Sequence, residues 1–313
     1  MIYGKDFLTL LDFSAEEIMY LIDLSLRFKR NEVERDKYKK LEAMTAALVF
    51  EKPSTRTRMS LEVACHQLGI KPIYVSAMTT QLARGEPIED FARVIERYVD
   101  LIAARVYSHK TLEDMARYAN VPVINALSDM YHPLQALADY MTILEKFGRL
   151  DGLIISFVGD VGNNVARSLT VVAAKLGLEM RLVGPRDYWP GREFIDKVRS
   201  IAEKTNAKIV MTEDPTEGVK GANVIYTDVW VSMGQEKERE KRIKVFRRYQ
   251  VNEELVRNAD KDYIFMHCLP RHRGEEVSDG VFESENSVVF DQAENRLHSA
   301  KAVIASVLLR EKL

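Results

Sequence analysis

"AALVFEKPSTRTRMSLEVACHQL", residues 46–68, changes its period in the middle. Ala46 to Phe50 is a short apolar run, whereas Leu61, Ala64, Cys65 and Leu68 recur at helical spacing. A strand hands over to a helix, and Ser54, Thr55, Arg56, Thr57 and Arg58 occupy the junction. A helix start offers free backbone N–H groups and the positive end of the helix dipole, and both favour an anion. Arginine adds a planar fork of donors suited to phosphate or carboxylate. The junction reads as an anion cradle without the glycines of a P-loop. It reads equally as an N-cap with solvated arginines.

The alternation continues outward from this stretch. Short apolar runs at 72–75, 101–106 and 121–124 are separated by helical segments, the pattern of a parallel α/β sheet. Upstream, residues 14–30 open with a Ser-x-x-Glu capping box and place Ile18, Leu21, Ile22 and Leu26 at helical spacing. Residues 132–148 predict a long helix ending at Gly148. The pattern restarts at "GLIISFVGD" (152–160). Helices follow at 165–176 and 193–205, strands at 180–184, 208–211, 223–227, 262–266 and 287–290, and a last helix at 292–310. The expected fold class is α/β, with two domains over residues 1–150 and 151–290, each a mainly parallel sheet flanked by helices. Residues 291–313 form a terminal helix able to return to the first domain.

The chain has 313 residues, 46% of them hydrophobic, which suffices for two cores. A net charge of -2 provides no global basic field, so no nucleic acid partner is expected. The opening "MIYGKDFLTLLDFSAEE" lacks the basic flank and apolar run of a signal peptide, and no stretch reads as a membrane span. Two cysteines, Cys65 and Cys268, argue against a disulfide framework and fit a reducing cytoplasm. "QEKEREKRIKVFRR" (235–248) reads as a solvated helix face or mobile loop.

Several polar groups fall at strand or helix ends. In "DMYHPLQALAD" (129–139), His132 and Gln135 flank a helix-start proline. They could hydrogen-bond a small carbonyl ligand, or His132 could be an ordinary surface histidine. In "GDVGNNVARS" (159–168), Gly159 and Gly162 have the wrong spacing for a dinucleotide fingerprint, so no nicotinamide cofactor is expected. Asn163 and Asn164 could bind a carboxylate or amide, or simply cap the helix. "TDVWVSMGQE" (227–236) offers Asp228 to an ammonium, and Ser232, Met233 and Gly234 as a segment that could close over a ligand. "FMHCLPRHRGEEV" (265–277) puts His267, Cys268 and Leu269 at a strand end. Neighbours on a strand point to opposite faces, and no second Cys/His cluster exists, so no metal is expected. Arg296, in "AENRLHSAKA" (293–302), begins the last helix. Ligands of such sheets bind beyond the carboxyl ends of the strands.

In this order the motifs resemble the aspartate/ornithine carbamoyltransferase family. "STRTR" is similar to the family's phosphate signature and "HPLQALAD" to its H-P-x-Q-A-L-x-D element; "DVWVSMG" and "HCLP" resemble its ornithine branch. "QLARGEPIEDFARV" (81–94) extends the resemblance over nearly the whole chain. The resemblance implies a carbamoyl phosphate domain, an ornithine domain with the active site between them, and trimers with sites at subunit interfaces. It implies transfer of the carbamoyl group to the δ-amine of ornithine, with no cofactor. By the same resemblance Ser54, Thr55, Arg56 and Thr57 hold phosphate, and Gln81 reaches it from a neighbouring subunit. Arg105, His132, Gln135 and Arg296 contact carbamoyl phosphate. Asn164, Asp228, Ser232 and Met233 form the ornithine site, and Cys268 and Leu269 lie where the amine meets the carbamoyl carbon.

Three residues depart from the ornithine branch: Leu134 where cysteine is common, Phe91 where threonine is common, and Arg271 where alanine is usual. Arg271 is similar to the aspartate branch's L-P-R. Competing readings are carbamoyl transfer to putrescine, acetylornithine or aspartate, a nucleotide-binding regulator, and an inactive scaffold.

Overall fold

The computed structural model describes residues 2–232 and 234–313, excepting the side chain of Glu236. The chain divides into two compact units: residues up to Met141 together with Glu294–Leu313, and Thr142–Ala293.

In the first unit, α1 (Ala15–Lys29) starts at the expected capping box. Ser14 Oγ accepts from Glu17 N–H at 3.2 Å, and Glu17 Oε2 accepts from Ser14 N–H at 3.1 Å. Then follow β1 (Thr45–Phe50), α2 (Thr55–Leu68), β2 (Lys71–Ser76), α3 (Ile88–Ile95), β3 (Leu101–Arg105), α4 (His109–Tyr118), β4 (Val123–Leu127) and the greater part of α5 (Pro133–Phe147), whose end from Thr142 on belongs to the second unit. The strands form one parallel sheet ordered β2-β1-β3-β4. β3 and β4 are buried throughout, which is why they read as continuous apolar runs rather than alternating ones. Parallel pairing delivers the carboxyl ends Phe50, Arg105 and Leu127 to one edge, so the loops after them share that edge.

The second unit contains β5 (Ile154–Val158), α6 (Asn164–Leu176), β6 (Glu179–Val183), α7 (Arg192–Thr205), β7 (Lys208–Thr212), α8 (Pro215–Val219), β8 (Val224–Thr227), α9 (Arg239–Phe246), α10 (Glu253–Val256), β9 (Ile264–His267), α11 (Asp279–Phe282) and the start of α12 (Val289–Leu308). Its sheet is parallel and ordered β7-β6-β5-β8-β9. The strand order reverses between β5 and β8, the switch point at which such sheets bind ligands. The greater part of α12 belongs with the first unit, as expected of the terminal helix.

Two expectations are corrected. No strand forms over 287–290: Ser287 makes a single bridge to Phe265, and α12 begins at Val289. A four-residue apolar run does not distinguish a strand from a helix start. The charge run 235–248 is not merely solvated, because Arg242 and Phe246 of α9 are buried.

Gly184 directly follows β6. A Cβ there would lie 2.3 Å from the carbonyl oxygen of Gly159, backbone that cannot yield. Gly184→Ala is expected to cost about 1–3 kcal/mol by overpacking, read as a lower denaturant midpoint at unchanged slope.

Candidate active site

In the first unit the junction after β1 is a true helix start. Ser54 is the N-cap of α2, its Oγ accepting from Thr57 N–H at 3.4 Å. Thr55 and Arg56 fill the first turn, Arg56 half-buried. Arg58 turns away, paired to Glu62 at 2.8 Å and lying 3.8 Å over the Tyr74 ring. Of the two arginines in the motif, Arg58 is thus engaged by the protein's own side chains. Thr57 is buried, and its hydroxyl accepts from Arg105 Nη1 at 3.2 Å and Arg296 Nη2 at 3.5 Å. Arg105 closes β3 where the register with β4 shifts, and such irregularities re-aim a side chain. Arg296 of α12 also donates to Gln135 Oε1 at 2.7 Å, while Gln135 Nε2 donates to Asp139 at 2.8 Å.

His132 ends the loop before α5, and its carbonyl receives the first helical bonds from Gln135 and Ala136. It is not on the surface: it is 4% exposed. Burial, then the charges of Arg296, Arg105 and Lys52, hold its imidazole well below the ordinary range. It is neutral at physiological pH, an N–H donor rather than a proton acceptor. The structure thus brings Thr57, Arg105, His132, Gln135 and Arg296 into one cluster at the start of α2. Gln81 stands on an exposed turn, Gln81–Arg84, ahead of α3.

In the second unit the switch point holds a buried acid. Asp228, just past β8, accepts from Val229 N–H at 2.8 Å and from the Cys268 thiol at 3.1 Å through Oδ1, and from Asn163 Nδ2 at 3.0 Å through Oδ2. Asn163 is at once the N-cap of α6, its Oδ1 accepting from Ala166 N–H at 2.8 Å, so the asparagine both caps and positions. Asn164 begins the helix, half-buried. Burial raises the Asp228 carboxyl above its ordinary range. Ser232 N–H donates to Gln235 Oε1 at 3.1 Å. Met233 lies outside the described residues.

His267, Cys268 and Asp228 offer ligand atoms within 4.8 Å of one another, closer than strand alternation suggests, because β9 ends at His267. His267 is nevertheless committed. Its Nδ1 accepts from Leu269 N–H at 2.8 Å and its Nε2–H donates to Glu276 at 2.9 Å. Those bonds fix the turn that carries Cys268 and Leu269, the latter at a left-handed φ of 58°. Both ring nitrogens are therefore spent on the protein.

The three departures have plain explanations. Phe91 is core, packed with Ala47, Val49 and Val99. Leu134 is buried in α5, its carbonyl accepting from Ser299 at 3.1 Å. Arg271 pairs with Asp279 at 2.6 Å and Glu283 at 3.0 Å and lies 3.7 Å over the Phe282 ring. Its guanidinium is engaged by the protein's own acids.

Residues 5–145 match the carbamoyl-P binding domain of aspartate/ornithine carbamoyltransferase, and residues 151–307 match the Asp/Orn binding domain. The chain belongs to the aspartate/ornithine carbamoyltransferase family. It is 54% identical over 303 residues to an ornithine carbamoyltransferase of Ignicoccus hospitalis, covering 96% of this chain and 97% of that one. It is 50% identical over 304 residues to a catabolic ornithine carbamoyltransferase of Thermoplasma acidophilum, covering 97% and 98%. The solved ornithine carbamoyltransferase of Pyrococcus furiosus superposes with a TM-score of 0.93 at 52% identity, covering 98% of each chain; the curated relative from that organism, 53% identical over 97% of this chain and 96% of its own, is named anabolic.

One residue of this cluster escaped the sequence reading. Lys52 is 6% exposed, with Nζ 4.8 Å from the Tyr107 ring centroid. Burial first, then the charge of Arg105, brings its ammonium down to about 8. Sequence hides it because a lysine ahead of a proline looks like any loop cation. A dianion seated in the cluster favours the charged lysine, so binding near pH 8 to 10 takes up a proton. Affinity for inorganic phosphate is expected to fall as pH rises above about 8, by up to about tenfold per unit. Lys52→Met should bind more weakly at pH 7 and lose that dependence, as titration calorimetry across the range would read.

Proposed function

We propose that this enzyme transfers the carbamoyl group of carbamoyl phosphate to the δ-amine of L-ornithine, giving L-citrulline and phosphate in arginine biosynthesis. The neutral amine attacks the carbamoyl carbon and an oxyanion forms. Its collapse breaks the carbon–oxygen bond to phosphate, and the new nitrogen gives its proton to the departing phosphate. Ser54, Thr55, Arg56, Thr57 and the start of α2 hold the phosphate, with Arg296 beside them. Arg105, His132 and Thr57 donate to the developing oxyanion, each such donor contributing about 3 kcal/mol. The second lone pair of the Gln135 oxygen accepts from the carbamoyl amide.

The observation that carries ornithine over aspartate is in the second unit. Asp228 is a buried acid that accepts from an amide, a thiol and a backbone N–H, and so invites a cation. Arg271, the arginine that could have clamped a second carboxylate, is already paired. Asp228, Asn164, Ser232 and Met233 take the α-amino and α-carboxylate groups, and Cys268 and Leu269 face the δ-amine. Putrescine lacks the α-carboxylate and leaves part of that site unpaired, which such sites reject.

Gln81 serves the phosphate of a neighbouring copy, for which its exposure suits it, and the assembly is a homotrimer or a set of trimers. Exposed Met59, Ile73, Met78 and Tyr98 in the first unit supply apolar surface for that contact. The two free thiols suit the cytoplasm.

Asp228→Asn is expected to raise the KM for ornithine by roughly ten- to a hundredfold and to leave that for carbamoyl phosphate nearly unchanged. Putrescine or aspartate carbamoylated faster than ornithine by the unaltered enzyme would overturn the substrate. Subunits carrying Gln81→Ala, mixed with subunits carrying Cys268→Ala, should regain activity after exchange, because some sites then hold neither lesion. No recovery after verified exchange would make each copy self-sufficient.

A further inference from the structure

Arg242, in the charge run of α9, has no role in the reaction as described above, yet it is among the most buried charges of the second unit. Its side chain is 4% exposed and that of its partner Asp160 is 7% exposed. Three chain segments meet on this one guanidinium. Nη2 pairs with the Asp160 carboxylate, just after β5. Nε donates to the carbonyl oxygen of Trp230 at 2.5 Å. The plane sits against the rings of Tyr188 at 4.8 Å and Phe246 at 5.3 Å. Phe246 in turn stacks with Trp230, ring centroids 6.2 Å apart.

The placement of those segments gives the arrangement its meaning. Trp230 lies two residues after Asp228 and two before Ser232. Asp160 lies three residues before Asn163, whose amide donates to Asp228. Both strands that frame the switch point thus leave the sheet under the control of Arg242. Two donors on one rigid fork, at a fixed angle, tie the β5 exit to the β8 exit, which a single ammonium cannot do. A pair this buried is weak evidence of stabilisation, since desolvation offsets most of the attraction, whereas fixing one arrangement is a use to which such pairs are well suited.

We infer that Arg242 is a positioning residue for ornithine: through Asp160 and the Trp230 carbonyl it sets where Asp228 and Ser232 stand, and thereby the affinity for the α-amino acid end of the substrate. The inference rests on the assignment of Asp228 and Ser232 to that end. It concerns binding of the second substrate alone, since none of the groups Arg242 touches belongs to the phosphate cluster.

The test is Arg242→Lys, which keeps a cation beside Asp160 and gives up the bond to Trp230. The KM for ornithine should rise about tenfold, with kcat and the KM for carbamoyl phosphate within about twofold. Inhibition by norvaline, which shares the α-groups and lacks the δ-amine, should weaken in parallel. A purely structural role would instead lower the melting temperature or the active fraction and leave both KM values alone. If the lysine variant does not fold, Arg242→Met with Asp160→Asn removes the pair without stranding a charge, and is held to the same readout. An unchanged KM for ornithine, or equal changes in both KM values, overturns the inference whatever Asp228→Asn does. If Asp228→Asn raises that KM while Arg242→Lys does not, the ornithine site stands and only the role of Arg242 falls; if Asp228→Asn itself has no effect, the underlying assignment falls.

Discussion

The crowding of like charge around one imidazole governs the first unit. Arg105, Arg296 and Lys52 all bear on His132, and Arg105 also bears on Lys52. Such a cluster is costly to bury, and it is held by neutral oxygens: the Thr57 hydroxyl receives two guanidiniums and the Gln135 amide receives one of them. Burial first, and then this repulsion, depresses His132 and Lys52, and an anion relieves the repulsion. A doubly charged phosphate is thereby favoured over a neutral ligand of the same shape. Burial and the same charges keep the histidine neutral, which suits it to donating a hydrogen bond rather than removing protons.

The second unit works on the opposite plan. One carboxylate, Asp228, is surrounded by an amide, a thiol and a backbone N–H, each fixed by its own secondary element. Asn163 is held by capping α6, Cys268 by the turn that His267 clamps, and Val229 by the chain leaving β8. The acid is desolvated but not neutralised by a cation in those bonds, and its raised carboxyl range reflects that cost. The two units thus separate the two jobs, one compressing positive charge for the donor substrate and the other presenting a negative charge to the acceptor.

The sequence carries the alternation of strands and helices because β3 and β4 are buried throughout and read as apolar runs, and because Ser14 and Glu17 announce a helix start. It carries the candidate site through motifs at strand ends, where parallel pairing must gather whatever polar groups occur. It does not carry burial. Lys52 and Arg242 look like solvated cations in the text and are enclosed in the fold by residues far along the chain. The surface alternative for His132 stays open in the sequence for the same reason. The run at 287–290 failed differently: a single bridge to Phe265 satisfies the backbone, and four apolar letters do not tell which period continues. Arg58, a junction residue left open in the sequence between cradle and solvated arginine, is held by Tyr74 and Glu62.

Arg271 has a consequence for how this enzyme can change over evolutionary time. It stands where the chain is similar to the L-P-R of the aspartate branch. Yet Asp279 and Glu283 hold it, and Phe282 lies flat beneath it. Freeing its guanidinium requires loss of both acids, since either one alone still pairs with it. The cation is therefore held behind two ion pairs, and neutral drift at both Asp279 and Glu283 is the route by which it would be released.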